Sequence, residues 1–235
     1  MSEEQDVTRL VPAHVGYILD GNRRWARSHS LPEYDGHLAG YNALKEVVEG
    51  SMEQGIKFVS LYAFSTENWQ REKKEVSHLM RLTMHALSTD LNRFIKNGIR
   101  VRILGHREGL SEKLIEAIER AEEATKLLTS GTVLVCFNYG GHREIADAVR
   151  KCIEDGLSAV EITEEAIAKR LYAPDVPPID IIVRTSGEQR LSNFMLWRAS
   201  YSELYFLKKF WPDMTKQDVT DIIEEYNRRQ RRFGA

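Results

Sequence analysis

His14-Val15-Gly16-Tyr17-Ile18-Leu19-Asp20-Gly21-Asn22-Arg23-Arg24-Trp25 joins an apolar run to a carboxylate, a glycine, an amide and two arginines. The apolar half has the composition of a buried strand. In open α/β sheets, ligands sit at the carboxyl ends of such strands. Gly21 lets the chain turn sharply and approach a bound group. Asp20 offers hard oxygens suited to Mg²⁺, and Arg24 offers forked donors to phosphate. The stretch reads as a metal and phosphate site at a strand end. The plainer alternative is a strand, a capping Asp and two solvated arginines.

Outward from it, the pattern repeats. Residues 27–36 read as a loop punctuated by Pro32 and Gly36, and residues 37–54 as a helix. Residues 58–64 form a strand candidate that ends in Ser65-Thr66-Glu67-Asn68-Trp69-Gln70-Arg71. Over residues 74–97 the apolar positions Val76, Leu79, Met80, Leu87, Leu91, Phe94 and Ile95 keep helical spacing, with Asn97-Gly98 as the stop. Ile99, Val101 and Ile103 alternate as a third strand, followed by a helix over 111–128 with Ser111 as its N-cap. A fourth strand over 132–137 runs into Asn138-Tyr139-Gly140-Gly141-His142-Arg143, and a helix follows to about Glu154. Residues 163–171 read as a short helix capped by Thr163. A fifth strand over 179–183 ends in Arg184-Thr185-Ser186-Gly187-Glu188-Gln189-Arg190-Leu191-Ser192-Asn193. A sixth candidate covers 202–206, and a terminal helix covers 215–229. Strands alternating with helices predict a single α/β domain over 14–235, after a flexible segment 1–13, with a mainly parallel sheet of about six strands. A parallel sheet brings its strand ends to one edge, so the polar clusters converge.

Composition narrows the function. The chain has 235 residues, 42% hydrophobic and 29% charged, with a formal net charge of −2. That balance is ordinary for a globular protein and argues against nucleic acid held by bulk charge. The polar start lacks the form of a signal peptide, and no stretch reaches the ~18 apolar residues of a membrane span, so the cytoplasm is the expected compartment. Cys136 and Cys152 lie far apart, which indicates neither a disulfide framework nor a zinc site. Apart from His37, the histidines His14, His29, His78, His85, His106 and His142 show no ligand spacing. GxxxxGK[ST], GxSxG, HExxH and DDxxD are absent. Asp20, Asn22, Arg24, His37, Ser65, Asn68, Arg71, Arg184, Arg190, Ser192 and Glu203 instead make an arginine-rich set suited to a substrate with several phosphates.

His14 through Ala26 resembles the first signature of the cis-prenyltransferases, the undecaprenyl diphosphate synthase family. Gly36-His37-Leu38-Ala39-Gly40, the segment from Leu61 to Arg71, and Asn138-Tyr139-Gly140-Gly141 resemble its next blocks. The run from Arg184 to Phe194, with Tyr201-Ser202-Glu203-Leu204-Tyr205-Phe206, resembles the fifth. The blocks stand in family order and cover most of the chain.

The resemblance implies condensation of isopentenyl diphosphate with an allylic diphosphate, expected to be farnesyl diphosphate, to give a polyprenyl diphosphate that serves as a glycan carrier precursor. By similarity, Asp20 is catalytic and engages Mg²⁺, with Glu203 as a second metal residue. Gly21, Asn22, Arg23, Arg24, Trp25 and His37 hold the allylic diphosphate. Ser65, Glu67, Trp69 and Arg71 lie between the two sites, and Asn68 removes a proton or orients substrate. Arg184, Arg190 and Ser192 hold isopentenyl diphosphate. Arg232 and Gly234, in an RxG tail, reach the neighbour's isopentenyl diphosphate across a homodimer. The family's apolar tunnel gives the 76–95 stripe a second use as a wall, and a growing lipid implies contact with a membrane surface.

Two departures stand out. Glu33 occupies a place where many bacterial members carry an Arg that contacts the allylic diphosphate, and Arg23 stands where many have Gly, as a local compensation of charge. The alternatives are a short-chain or atypical member, a non-catalytic partner subunit of the same fold, and a binder of RNA or acidic lipid through the basic run Arg228-Arg229-Gln230-Arg231-Arg232.

Overall fold

The computed structural model describes residues 10–229. Its centre is a six-stranded sheet built from β1 (His14–Ile18), β2 (Phe58–Ser65), β3 (Ile99–Leu104), β4 (Gly131–Tyr139), β5 (Ile181–Arg184) and β6 (Glu203–Phe206). The order is β3-β4-β2-β1-β5-β6 and every pairing is parallel. Parallel strands need crossovers, and helices supply most of them. They are α1 (Asn22–Ser28), α2 (Glu33–Glu53), α3 (Lys73–Thr89), α4 (Leu91–Lys96), α5 (Glu112–Thr125), α6 (Gly141–Glu154), α7 (Glu164–Ala168) and α8 (Lys216–Arg228).

Both faces of the sheet are covered, which is why its central strands read as unbroken apolar runs rather than alternating ones. On one face Val15, Tyr17, Ile181 and Val183 pack with Val47 and Val48 of α2 and Val219, Ile222 and Ile223 of α8. On the other, Ile18 and Ile182 pack with Tyr139, Phe194 and Met195. Toward β3, Phe64, Val101 and Ile103 meet Val76 and Leu87 of α3 and Leu114 and Ile118 of α5.

Several boundaries differ from the sequence expectation. The expected loop over 27–36 is mostly helical, because α1 runs to Ser28 and α2 begins at Glu33 behind Pro32. Gly36 is thus a packing residue inside α2 and not punctuation: a Cβ there would lie 2.1 Å from the Asn22 carbonyl oxygen. The expected 74–97 helix breaks at Asp90, whose carboxylate accepts the Tyr41 hydroxyl at 2.5 Å. The helix after Thr163 is shorter than expected, and Thr163 caps it by accepting the Ala166 N–H. Leu10 and Ala13, expected within a flexible start, are hydrogen-bonded to Asn227 and Asp180. No helix of the described residues is long and apolar enough to cross a membrane.

His14 fixes where β1 begins. It is fully buried, and its Nδ1 donates to the Pro177 carbonyl at 2.9 Å, so the neutral ring's Nε2 accepts the Ser60 hydroxyl at 2.7 Å. Burial lowers its pKa to about 4, with the Pro177 carbonyl opposing the shift. The unfolded chain therefore takes up this proton first as pH falls, and the stability present above about pH 6.5 is lost progressively toward pH 4. Between pH 7 and pH 5 this group should withdraw about 2 kcal/mol. Urea unfolding of wild type and His14→Asn over that range checks it: the wild type should show the steeper acid loss, and equal slopes would refute the assignment.

Candidate active site

The chain moves from β1 to β2 on one side and returns to β5 on the other, so the gap between the ends of β1 and β5 is the sheet's switch point. Asp20 lies there. Its backbone N–H donates to the Thr185 hydroxyl at 3.1 Å, and that hydroxyl donates to the Asp20 carbonyl at 2.6 Å. The carboxylate takes Arg184 Nη2 on Oδ2 at 2.8 Å and Arg24 Nη2 on Oδ1 at 3.3 Å. Gly21 turns the chain from the strand into α1 with φ +106°, a conformation costly for other residues.

Arg184 is only 4% exposed, and its Nη1 donates to the Ser192 hydroxyl at 2.8 Å and to the Arg190 carbonyl. Its Nε is buried without a partner among the described residues, as is Asn22 Oδ1. Glu188 bridges Arg24 and Arg190 at 3.0 and 2.5 Å. In the protein alone, each of these arginines is held by a carboxylate.

The end of β2 supplies a second group. Ser65 and Asn68 form a reciprocal cap on the 3-10 turn Thr66–Gln70, in which Asn68 Oδ1 accepts the Ser65 N–H at 3.1 Å. That oxygen is spent on the turn, leaving the amide NH₂ as a donor. Glu67 accepts Asn193 Nδ2 at 3.1 Å; burial pushes its pKa up, but the surrounding hydrogen bonds outweigh that and hold it below the usual carboxylate range. Arg71 donates to Glu75 at 2.8 Å, and His37 meets the same oxygen at 3.3 Å. Glu33 faces two cations, Arg23 at 2.7 Å and Arg27 at 2.5 Å, so its negative charge is locally matched.

A cavity of about 700 Å³ joins these groups. Asp20, Asn22, His37, Ser65, Glu67, Asn68, Arg71, Arg184, Arg190 and Ser192 line its polar part, with Asn193 beside them. Leu79, Leu82, Ala86, Leu87, Leu91 and Phe94 line its apolar part, opposite Val101, Val133 and Phe137.

Other expected residues lie elsewhere. Trp69 packs edge-on against Phe64 and donates to Asn138 at 2.8 Å, outside the cavity lining. Trp25 stacks on His29 and donates to Asp213. Arg23 and Arg24 are not among the lining residues; Arg24 reaches the cavity's edge through Asp20, and Arg23 pairs with Glu33 and Glu75. Glu203 is not brought to Asp20 within one chain. It opens β6 opposite Ile181, whereas Arg184 pairs with Phe206, so it lies at the other edge of the sheet, bonded to Arg229 at 3.1 Å. Arg232 and Gly234 lie outside the described residues. Glu188, Asn193 and Glu75 were missed as site residues. Glu75 carried a readable signal, an acid four residues after Arg71 at a helix start.

The family model of the undecaprenyl diphosphate synthases matches residues 18–234. An isoprenyl transferase of Thermotoga maritima is 48% identical over 227 residues, covering 96% of this chain and 97% of its own. A trans,polycis-polyprenyl diphosphate synthase ((2Z,6E)-farnesyl diphosphate specific) of Thermobifida fusca is 43% identical over 230 residues, covering 96% and 82%. The crystal structure of lavandulyl diphosphate synthase from Lavandula x intermedia, in complex with dimethylallyl diphosphate, superposes with a TM-score of 0.92 at 33% identity, covering 96% of this chain and 99% of that one. With its fold and nearly its whole length shared in this way, the chain belongs to the undecaprenyl diphosphate synthase family, the cis-prenyltransferases.

Proposed function

We propose that the chain elongates prenyl diphosphates in the cis configuration, condensing isopentenyl diphosphate with an allylic diphosphate primer. One observation carries the reading: a single cavity has an arginine-rich polar end at the switch point and an apolar end under α3. A prenyl diphosphate has the same two parts.

In the reaction the primer's C–O bond breaks, a C–C bond forms to isopentenyl diphosphate, and a proton leaves the new chain. Negative charge grows on the departing diphosphate, and fixed cations already in place stabilise it without reorganising. His37 and Arg71 suit the primer diphosphate, with Arg23 joined to them through Glu75 and Arg24 paired with Asp20, while Arg184, Arg190 and Ser192 suit isopentenyl diphosphate. Asn68 orients substrate as a donor, since its carbonyl oxygen is engaged by Ser65. That geometry disfavours it as the base.

Mg²⁺ fits this donor set in one way. The described residues hold no group of three or more acidic, His or Cys ligands. Mg²⁺ commonly takes one or two carboxylates and completes its shell with phosphate oxygens and water. Asp20, with the unpartnered Asn22 Oδ1 in the same cavity, suits a cation that arrives with the diphosphate. Bound there, it would supply positive charge to the leaving group. Homodimer formation, the trans contact by Arg232 and Gly234, cytoplasmic location and work at a membrane surface belong to the same reading and are supported by the family membership.

Incubation with Mg²⁺, labelled isopentenyl diphosphate and farnesyl diphosphate should yield extractable polyprenyl products, and Asp20→Ala should lower kcat by about 10²–10³-fold. A single short product would move the reading to a short-chain member, and no elongation from any allylic primer would sink it. Ala86→Phe, which adds bulk to the apolar end, should shorten the product distribution while leaving the first condensation near wild type. Truncation after Arg229 should leave the melting temperature within a few degrees and reduce turnover at least tenfold; full activity would remove the tail from the site.

A further inference from the structure

Glu75 stands on the first turn of α3, 13% exposed, and does not line the cavity. Its carboxylate nevertheless gathers three groups from three segments. Oε1 accepts Arg71 Nη1 at 2.8 Å and His37 Nε2 at 3.3 Å, and Oε2 faces Arg23 Nη1 at 3.5 Å. Arg71 closes the turn after β2, His37 sits on α2 and Arg23 on α1. His37 and Arg71 line the polar end of the cavity.

We propose that Glu75 is a positioning residue for the primer diphosphate, holding Arg71, His37 and Arg23 in the arrangement that receives it; the proposal rests on reading the cavity as a prenyl diphosphate site. Two arginines brought to one side of an unliganded cavity repel each other, and a shared anion behind them removes that cost. The carboxylate engages Arg71 through Nη1 alone, so Nη2 and Nε have no partner among the described residues and remain for phosphate. It also fixes the His37 ring, because a carboxylate only accepts and Nε2 must carry a proton toward it. Glu33 does not duplicate this. It pairs with Arg23 and Arg27 and touches neither cavity-lining group.

The test is the dissociation constant of farnesyl diphosphate, measured calorimetrically without isopentenyl diphosphate, in wild type, Glu75→Gln and Glu75→Asp. Glutamine keeps the shape but cannot serve three donors as an anion. Glu75→Gln should weaken primer binding about tenfold, as expected for losing charge-assisted hydrogen bonds. Glu75→Asp should recover part of that loss. In steady state the KM for isopentenyl diphosphate should stay within twofold, with kcat at saturating primer falling less than threefold. Unchanged primer affinity in Glu75→Gln, or an equal loss of affinity for both substrates, would overturn the assignment. Because binding is read without turnover, a wild type that binds primer but does not elongate overturns the functional reading and not the role of Glu75.

Discussion

The Arg184–Asp20 pair is the constraint on which the site depends. Arg184 ends β5 with its guanidinium almost wholly removed from water, and Asp20 follows β1, the adjacent strand. A buried guanidinium must be matched by an anion and hydrogen-bond acceptors, and removing the partner of such a pair typically costs about 3–5 kcal/mol. Asp20, the Ser192 hydroxyl and the Arg190 carbonyl do the matching here. The pair therefore fixes more than two side chains. It ties the turn into α1 to the loop after β5, and Thr185 repeats that tie in the backbone.

The loop after β5 carries an unusual backbone for the same reason. Ser186, Ser192, Asn193 and Met195 have φ values of 78°, 50°, 65° and 40°. Left-handed conformations at residues with side chains cost energy and persist when their surroundings over-determine them. The surroundings here are explicit. Ser186 and Gly187 donate to the carbonyls of Lys209 and Leu207, and Gly141 donates to that of Asn193. Phe194 and Met195 are fully buried. Asn193 also binds the His142 N–H and Glu67, joining the ends of β2, β4 and β5. The strand ends thus converge through a framework of hydrogen bonds, and the arginines are set on it before any ligand arrives.

Much of this was legible from residues alone. Apolar runs each followed by a polar cluster give the parallel sheet and its working edge, because parallel strands bring all those clusters to one edge. α1 was not legible, since Asn22–Ser28 has one buried residue, Ala26, and no capping side chain. The break at Asp90 was not either: the partner of its carboxylate, Tyr41, comes from a helix distant in sequence. Glu203 is a different case. Every other polar cluster follows its strand, whereas Glu203 precedes Leu204, Tyr205 and Phe206, and in a parallel sheet the first residue of a strand belongs to the far edge. Resemblance alone grouped it with Asp20; strand direction separates them within one chain.

The charges of the site alternate: Arg27, Glu33, Arg23, Glu75 and Arg71 form one chain of ion pairs, and Arg190, Glu188, Arg24, Asp20 and Arg184 form another. Each begins and ends on arginine, so each carries one more cation than it has anions. Such a chain is close to self-neutral without ligand and tolerates close packing of like charges. An incoming diphosphate need not break it, because the terminal arginines Arg71, Arg184 and Arg190 line the cavity. Within this arrangement Glu33 does not leave a net negative charge at the primer end: it extends the first chain outward to the exposed Arg27, and Arg71 stands at the end that lines the cavity.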